Sequence, residues 1–382
     1  MPAGSPRVPS WWPRFRGALH DPRTATVLGR WLGAAVLVCF GTGLVSHVLQ
    51  EPPGWAAPRL PSRPVWGYRL TQGLHVATGI AAVPLLLAKL WTVYPRLFAR
   101  PVVRSPLHAL ERLSAGLLVG AALLEVFLGL LNTAQWYVWP FSFRRVHWAL
   151  AWVLAGALLL HLAVRAPVIA AHWRHRSAGT RALPAADAPD RRSLLLGVGT
   201  AAAAVTAVTA GQTFPPLRPL LLLAPRHPGR GPQGLPVNRT AAAAGIGREA
   251  LRDWRLVVDG PRPYALTLEG LAELEQHEAR LPIACVEGWS ASARWGGVRV
   301  RDLLRRAGAP DGSRVRVVSL QRRGAFAVTE LGPSYARDPL TLLALRIDGE
   351  VLHPDHGYPA RLIAPNRPGV LQTKWVTRLE VL

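Results

Sequence analysis

Long apolar runs fill the first half of the chain, whereas short alternating segments fill the second half. Up to about residue 213 the sequence is dominated by Leu, Ala, Val, Gly and Trp. Beyond that point, short segments rich in apolar residues are broken by Gly and Pro, which is typical of strands and turns. The pattern predicts a helical membrane part followed by a soluble mixed α/β domain, and 382 residues are enough for both.

Five of the apolar runs approach the ~20 residues that a helix needs to cross a bilayer. They are too long, and carry too few charges, to be core helices of a soluble domain. Each is therefore predicted to be a transmembrane helix, with the first four forming a bundle. The five runs cover residues 27–49, 72–93, 108–131, 145–166 and 194–211.

Arginines cluster before the first run and between the fourth and the fifth. Because basic flanks stay inside, both regions are predicted to be cytoplasmic. Five crossings then place the C-terminal domain outside, with Trp136, Tyr137 and Trp139 in an outer interfacial belt. The loop at 51–71 also holds three arginines, so the bias is moderate. The flanking arginines are Arg7, Arg14, Arg16, Arg23 and Arg30, then Arg174, Arg176, Arg181, Arg191 and Arg192.

Ionisable residues at membrane depth are costly and usually functional, and the first four runs hold five histidines near two depths. His147 and His161 are 14 residues apart on one helix, so they lie about 40° apart around the axis and roughly 21 Å apart along it. This spacing suits two stacked haems, and the helix resembles the di-haem helix of membrane b-type cytochromes. The histidines are His47, His75, His108, His147 and His161.

The predicted haem ligands fall into an outer and an inner pair. For the outer haem, His147 pairs with His75, and His47 is the competing ligand. For the inner haem, His161 pairs with His108, because Lys89 occupies the position one repeat below His75. Hydrogen bonding between packed helices is the alternative role of such histidines. Glu125 is either a proton or quinone-site residue or an interhelical partner.

The formal net charge of +23 raises the question of a nucleic-acid partner. The basic residues are nearly all Arg, and they lie between the apolar runs or scattered through the C-terminal half. They form no single basic stripe interleaved with aromatic stacking residues. We therefore expect no nucleic-acid partner, and we expect membrane lipid headgroups to attract these charges.

A Pro-rich segment at 214–236 is predicted to be an extended linker or a surface wrap rather than a regular element, and an α/β domain follows it at 237–382. Helical stretches are predicted at 267–278 and 301–307. Strands are predicted at Val298–Val300, Val315–Ser319, Ala325–Val328, Ala344–Ile347 and Trp375–Val381.

Cys285 is the only cysteine of the α/β domain, and it stands in the run Pro282-Ile283-Ala284-Cys285-Val286-Glu287-Gly288-Trp289-Ser290. A lone thiol there is a buried structural group, a nucleophile or a soft metal ligand. No hydrolase motif surrounds it, and no second cysteine offers a zinc or iron–sulfur site. The other cysteine, Cys39, lies in an apolar run and is predicted to be a small buried side chain.

The run around Cys285, the following Trp295-Gly296-Gly297 and the segment from His356 to Val376 resemble the molybdenum-cofactor domain of the sulfite oxidase superfamily. The resemblance covers residues 236–382 and implies that Cys285 ligates molybdenum and is catalytic. It implies that Arg361 and Lys374 bind the pterin phosphate, for which their charges are suited. The remaining cofactor contacts that it implies are Asn238, Arg239, Ser319, His356, Gln372 and Thr373.

A domain that acquires an organic metal cofactor in the cytoplasm must cross the membrane folded. The run from Asp190 to Gly197 resembles a twin-arginine export signal, which directs folded cargo, placed internally. Ordinary positive-inside flanking charge is the alternative.

These observations predict a fused membrane enzyme with a molybdenum cofactor and one or two b haems. Its fold class is a four-helix haem bundle plus a fifth transmembrane helix, followed by a mixed α/β sulfite-oxidase-type domain in the extracytoplasmic space. We expect a quinone or another membrane electron carrier as its partner and a small oxo compound, such as a sulfoxide, as its substrate. Alternatives are a sulfite-oxidase-type dehydrogenase and a haem electron-transfer protein with a non-catalytic outer domain. The predicted segments are 1–26, 27–170, 171–192, 193–213, 214–236 and 237–382.

Overall fold

A computed structural model describes residues 20, 22–97, 103–174, 191–247 and 249–382. Five long helices precede the strands in this part of the chain. Parts of the predicted basic flanks and the first residue of the twin-arginine-like run lie outside the described residues. They are Arg7, Arg14, Arg16, Arg176 and Arg181 of the flanks, and Asp190 of that run. The long helices are α1 (Pro22–Gln50), α2 (Gly67–Leu97), α3 (Pro106–Ala134), α4 (Phe143–Arg174) and α5 (Arg191–Ala210).

Each of these helices is long and apolar enough to cross a membrane, which confirms the five predicted helices. Mean hydropathy is lowest for α2 and α5, at 1.7, and highest for α3, at 2.1. Large apolar side chains such as Leu37, Leu113 and Leu159 are about 70% exposed on α1, α3 and α4. Water would oppose such exposure, whereas lipid would cover it.

The chain divides into two compact units. One contains the described parts of Met1–Leu37, Gly79–Gly129 and Trp139–Val205. The other contains Val38–Thr78, Leu130–Val138 and Thr206–Leu382, so the ends of several long helices belong to the same unit as the strands.

The strands form two five-stranded sheets. The first has the order β2-β1-β10-β5-β6, in which β1 and β10 are parallel and the other pairs antiparallel. The second has the order β3-β4-β7-β8, and β9 also pairs with β7. The strands are β1 (Arg255–Asp259), β2 (Tyr264–Thr267), β3 (His277–Ala284), β4 (Ser290–Arg299), β5 (Val315–Ser319), β6 (Val328–Leu331), β7 (Leu342–Ile347), β8 (Glu350–Val351), β9 (Arg361–Ile363) and β10 (Val376–Val381).

Four short helices connect or flank these strands, and two apolar clusters stabilise them. One cluster joins the helix at Val300–Arg306 to the first sheet through residues such as Leu256, Leu303 and Leu379. The other surrounds Trp295, which is fully buried and donates through Nε1 to Leu281 O at 3.2 Å. The short helices are α6 (Glu249–Arg252), α7 (Leu268–Ala272), α8 (Val300–Arg306) and α9 (Pro333–Ala336).

The helix predicted at 267–278 is wrong beyond residue 272. The side chain of Thr267 accepts from Gly270 N and begins a short helix, α7. From His277 the burial alternates, with Ala279, Leu281 and Ile283 facing the core. This period of two is that of a strand, and it overrides the local helix propensity.

Four predicted strands have different bounds in the structure, and two of them differ by three residues or more at one end. The strand predicted at Ala325–Val328 is observed as Val328–Leu331, because its pairing with β5 begins at Val328. The strand predicted at Val298–Val300 starts eight residues earlier, at Ser290, and Val300 already belongs to α8. Gly297 lies within this strand, at the irregularity in the β4–β7 register. A Cβ there would lie 2.1 Å from Leu343 O, so the close approach of the two strands requires glycine.

The loop between α1 and α2 packs against the α/β domain, since both belong to one compact unit. Arg63 donates to both carboxylate oxygens of Asp338, at 3.0 and 3.1 Å. Asn366 accepts from Tyr68 N at 2.7 Å and donates to Pro61 O at 2.9 Å. The Pro-rich segment also packs on the domain, where Leu235 is buried in the cluster around Trp295.

Candidate active site

Cys285 is the first residue of the loop that joins β3 to β4. The two strands pair from His277 with Gly297 to Ala284 with Ser290, which leaves residues 285–289 as a five-residue loop. Cys285 N donates to Trp289 O at 2.9 Å, and Gly288 N donates to Cys285 O at 3.0 Å. Gly288 has a φ of +90°, which glycine adopts without strain. The turn therefore fixes the position of the thiol from both sides.

A small polar network surrounds the Cys285 thiol, which is only 3% exposed. Asn238 Nδ2 lies 2.5 Å from Cys285 Sγ and 2.6 Å from Glu287 Oε2. Asn238 Oδ1 in turn accepts from Trp289 Nε1 at 2.9 Å. Burial raises the pKa of Cys285 well above its ordinary value, and the neighbouring Glu287 carboxylate is the second cause of this rise. The structure thus brings the predicted Asn238 directly to the predicted metal ligand.

Two cations, the buried Arg361 and the half-buried Lys374, lie in the same region. Arg361 is 4% exposed, its Nη1 donates to His356 O at 3.3 Å, and its guanidinium lies 5.4 Å from the Trp295 ring centroid. Lys374 Nζ donates to Asp355 O at 2.6 Å and to Arg239 O at 3.0 Å. Burial lowers the pKa of Arg361 to about 10 and, together with Arg361, that of Lys374 to about 7.

Gly357 allows these two cations to approach each other. Its φ is +110°, and a Cβ there would lie 3.0 Å from Lys374 Cβ and 3.2 Å from Arg361 Cβ. The preceding His356 is buried, and its Nε2 lies 2.7 Å from Pro232 O. Burial lowers the pKa of His356 to about 4, so the ring is neutral at pH 7 and Nε2 donates its proton.

The other predicted cofactor residues lie at different distances from this group. Ser319 Oγ donates to Lys374 O at 2.7 Å, so its contact is with the backbone of the cation. The side chain of Gln372 donates to Arg367 O at 3.0 Å, and Thr373 Oγ1 lies 2.7 Å from Thr329 Oγ1. Gln372 and Thr373 thus lie close to Lys374 in sequence, but the hydrogen bonds of their side chains are with other residues.

The buried polar groups fit an anionic cofactor. Neither Arg361 nor Lys374 forms an ion pair with a carboxylate in the described part of the chain. Arg361 Nε and Arg239 Nε are buried without a hydrogen-bond partner there, and unpaired buried donors are costly. Phosphate oxygens would satisfy them, and the soft Cys285 thiolate suits molybdenum. The described residues hold no cluster of three or more His, Cys, Asp or Glu side chains that suggests another metal site.

Polar residues that the sequence analysis did not identify contact the Cys285 loop from the ends of α2 and α3. Gln72 Nε2 donates to Val286 O at 2.9 Å, and Asn132 Nδ2 lies 3.4 Å from the same oxygen. Gln135 Nε2 donates to Glu287 Oε1 at 2.8 Å. No local motif marks these residues, because they meet the loop only through the tertiary fold.

The five histidines proposed as haem ligands are divided between the two compact units. His47 and His75 belong to the unit that contains the strands, and His108, His147 and His161 belong to the other. His75 Nδ1 lies 2.8 Å from Cys39 O, and His147 Nδ1 lies 2.6 Å from Glu125 Oε2. The contact with His147 agrees with the interhelical alternative for Glu125. The pairing of these histidines around haems stays a prediction.

The C-terminal part of the chain matches a known protein family. The model of the oxidoreductase molybdopterin binding domain matches residues 244–382. This range contains Cys285, Arg361 and Lys374, whereas Asn238 and Arg239 precede it.

Similar proteins include three kinds of oxidoreductase. Mitochondrial sulfite oxidase from Drosophila melanogaster is 30% identical over 158 residues, which cover 34% of this chain and 27% of that protein. NAD(P)H nitrate reductase from Hordeum vulgare is 38% identical over 130 residues, covering 31% and 15%. The protein-methionine-sulfoxide reductase catalytic subunit MsrP from Gluconobacter oxydans is 32% identical over 146 residues, covering 34% and 47%.

The chain thus spans less than half the length of each of these relatives. Together, the family match, the buried Cys285 thiol and the two cations without carboxylate partners among the described residues give one conclusion. Residues 244–382 of this chain are an oxidoreductase molybdopterin-binding domain, related to those of sulfite oxidase, nitrate reductase and protein-methionine-sulfoxide reductase.

Proposed function

We propose that this chain is a membrane-bound molybdopterin-dependent oxidoreductase that exchanges electrons with the quinone pool through b haems. The observation that carries the proposal is the buried Cys285 thiol in the same region as the buried Arg361 and the half-buried Lys374. When bound, the molybdenum cofactor supplies oxygen-atom transfer between metal and substrate. The five long apolar helices support a membrane location.

The chain's own residues hold and orient the cofactor. Cys285 would ligate the metal. Asn238 would hold the thiolate in position by donating a hydrogen bond to Sγ. Arg361 and Lys374 would bind the phosphate, the first as a planar fork and the second as a point charge. The neutral His356 would contact the pterin without adding a further charge.

Hydrogen bonds of two proposed haem ligands support the electron-transfer part of the proposal. His75 donates through Nδ1 to Cys39 O, and His147 Nδ1 contacts the carboxylate of Glu125. A histidine that binds a metal usually donates its other ring nitrogen to a carbonyl or carboxylate, which fixes the tautomer. Nε2 would therefore be the iron-binding nitrogen of both residues. His47 would compete for the outer haem, and His108 would pair with His161 at the inner haem.

We propose that the substrate is a sulfoxide-like compound and that the enzyme reduces it. The support is the similarity to a protein-methionine-sulfoxide reductase catalytic subunit. The similarity to sulfite oxidase favours a second candidate function, oxidation of sulfite with electrons passed to the membrane.

Elemental analysis tests the assignment directly. The detergent-solubilised protein, from a host that makes the cofactor, should contain about one molybdenum per chain. Cys285→Ser should lose this molybdenum, whereas Cys39→Ser, the matched loss of the chain's other thiol, should retain it. Wild-type protein that contains iron but no molybdenum would contradict the proposal and favour a b-type cytochrome with a non-catalytic outer domain.

A further inference from the structure

The loop that carries Cys285 is held from outside its own domain. Its two strands and the internal turn account for the hydrogen bonds of Cys285 N, Cys285 O and Gly288 N. Val286 O, the Glu287 side chain and Gly288 O are contacted by Gln72 of α2, by residues at or just after the end of α3, and by the segment after α5. All of these residues belong to the same compact unit.

Three separate segments share this task. Val286 O accepts from Gln72 and lies within hydrogen-bond distance of Asn132. Gly288 O accepts from Thr213 Oγ1, and Gln212 O accepts from Ser290 N at 2.6 Å. Gly288 also packs closely against Val76 of α2, which leaves no space for a Cβ.

The contact made by Gln135, just after α3, is the one nearest to the thiol. Glu287 is 4% exposed and accepts from Gln135 through Oε1 and from Asn238 through Oε2. Asn238 also contacts Cys285 Sγ. Gln135 therefore acts on the thiol through two hydrogen-bonded side chains. Gln135 follows the last residue of α3 and has a φ of +57°.

From this arrangement we infer that Gln72, Asn132 and Gln135, the helix-end contacts, are positioning residues that hold the Cys285 loop closed around its thiol. The inference rests on the proposed function for its consequence, which is a fixed molybdenum ligand. It adds that the ligand's position is set by residues of the membrane helices as well as by residues 244–382. The contacts are made with Val286 and Glu287, directly after the cysteine, so loosening them frees the loop.

The first measurement uses full-length protein from a host that cannot make the cofactor. Alkylation of Cys285 is followed by peptide mass spectrometry, which separates it from Cys39. Gln135→Glu places a second carboxylate against Glu287, where neither ionised group can donate. Buried like charges favour local opening, so we expect alkylation of Cys285 to be faster by roughly tenfold or more.

The reversed pair supplies the matched rescue. In Gln135→Glu with Glu287→Gln, the new amide oxygen accepts from Asn238 and its amide nitrogen donates to the new carboxylate. We expect this double variant to return to within about twofold of the wild-type rate, as coupled neighbours do in a mutant cycle. Gln276→Glu, an exposed site whose side chain contacts Leu271 O and Leu274 O, makes the same charge change as a control and should leave the rate unchanged.

Two results would overturn the inference: an unchanged alkylation rate in Gln135→Glu, or a raised rate that the reversed pair does not restore. Should Gln135→Glu fail to accumulate, Gln72→Leu removes the donor to Val286 O and carries the same test. It should also speed alkylation, and an unchanged rate there would equally refute the inference.

A second readout uses protein loaded with cofactor. The electron paramagnetic resonance signal of molybdenum(V) should change in Gln135→Glu and return in the reversed pair, which a general loss of stability would not produce. Wild-type protein without molybdenum would defeat the proposed function, but the alkylation experiment would still decide whether the helix-end contacts hold the loop.

Discussion

Because His356 is neutral in the folded chain, we expect the stability of the protein to depend on pH. Burial lowers the pKa of this ring from 6.5 to about 4. Above pH 6.5 the ring is neutral in both the folded and the unfolded chain. As the pH falls from 6.5 to 4, the unfolded chain takes up a proton that the folded chain does not, so stability is lost. The shift corresponds to about 3 kcal/mol.

The difference between wild type and His356→Gln isolates this effect. A glutamine amide can still donate to Pro232 O, but it does not titrate. Thermal denaturation of the cofactor-free protein between pH 7 and pH 4 should therefore show a smaller loss of Tm in the variant. His353→Gln changes a neighbouring exposed ring and should keep the wild-type slope. Equal slopes in wild type and His356→Gln would show that this ring does not contribute.

At the scale of single residues, the sequence predicted the site from residue types and from a family resemblance. It identified Cys285, Arg361 and Lys374, which the structure brings together, and Asn238, which contacts the thiol. It missed Glu287 and the helix-end contacts. Their role comes from hydrogen bonds between residues more than 150 positions apart, and hydrophobic periodicity carries no information about such pairs.

At the scale of elements, the close packing of α1 against α2 at His75 allows a test of this residue as a haem ligand. A Cβ on Gly43 would lie 2.6 Å from His75 Nδ1, so Gly43→Ala must displace the ring. Gly41→Ala is the matched control on the same helix, because nothing lies within 4 Å of its Cβ. Both variants gain the same helix propensity.

We expect Gly43→Ala to lose the outer haem and Gly41→Ala to retain it. The pyridine haemochrome spectrum counts haem per chain, and the wild-type value should be one or two. Retention of full haem content and an unchanged visible spectrum in Gly43→Ala would argue against His75 as a ligand.

Elements were predicted well where one physical signal dominates. Apolar runs of bilayer length identified all five long helices. Short strands such as β2, β8 and β9 were missed, because two to four residues carry too little periodicity to register. The helix predicted across 273–278 failed for a related reason: the burial of alternate side chains in β3 depends on its partners in the second sheet.

At the scale of the whole molecule, the proposed topology makes a prediction about Arg191 and Arg192. These residues begin α5. If they form a twin-arginine signal, replacing both with Lys keeps the charge but removes the signal. We expect the double variant to leave the α/β domain on the cytoplasmic side, and protease added to intact spheroplasts should then fail to cleave it. Cleavage equal to wild type would mean that the two arginines act only as flanking positive charge.

The side of the membrane on which the α/β domain lies could be predicted from the sequence only through the basic flanks and the number of spans. The structure adds that the α1–α2 loop, residues 130–138 and the domain belong to one compact unit. An odd number of crossings places all three on the same side of a membrane. This agreement supports the proposed arrangement, which the sequence reached by counting.

The parallel pairing of β1 with β10 bears on how the protein is made. β10 lies in the middle of the first sheet, between β1 and β5, yet it is the last of these strands to leave the ribosome. In the proposed topology the first four helices would enter the bilayer during synthesis, while β1 and β5 still lack their shared neighbour. Lys374 lies two residues before β10, so capture of a cofactor by this residue would follow the completion of the sheet. A nascent chain would thus be anchored early and become competent for the cofactor only after translation has passed residue 381.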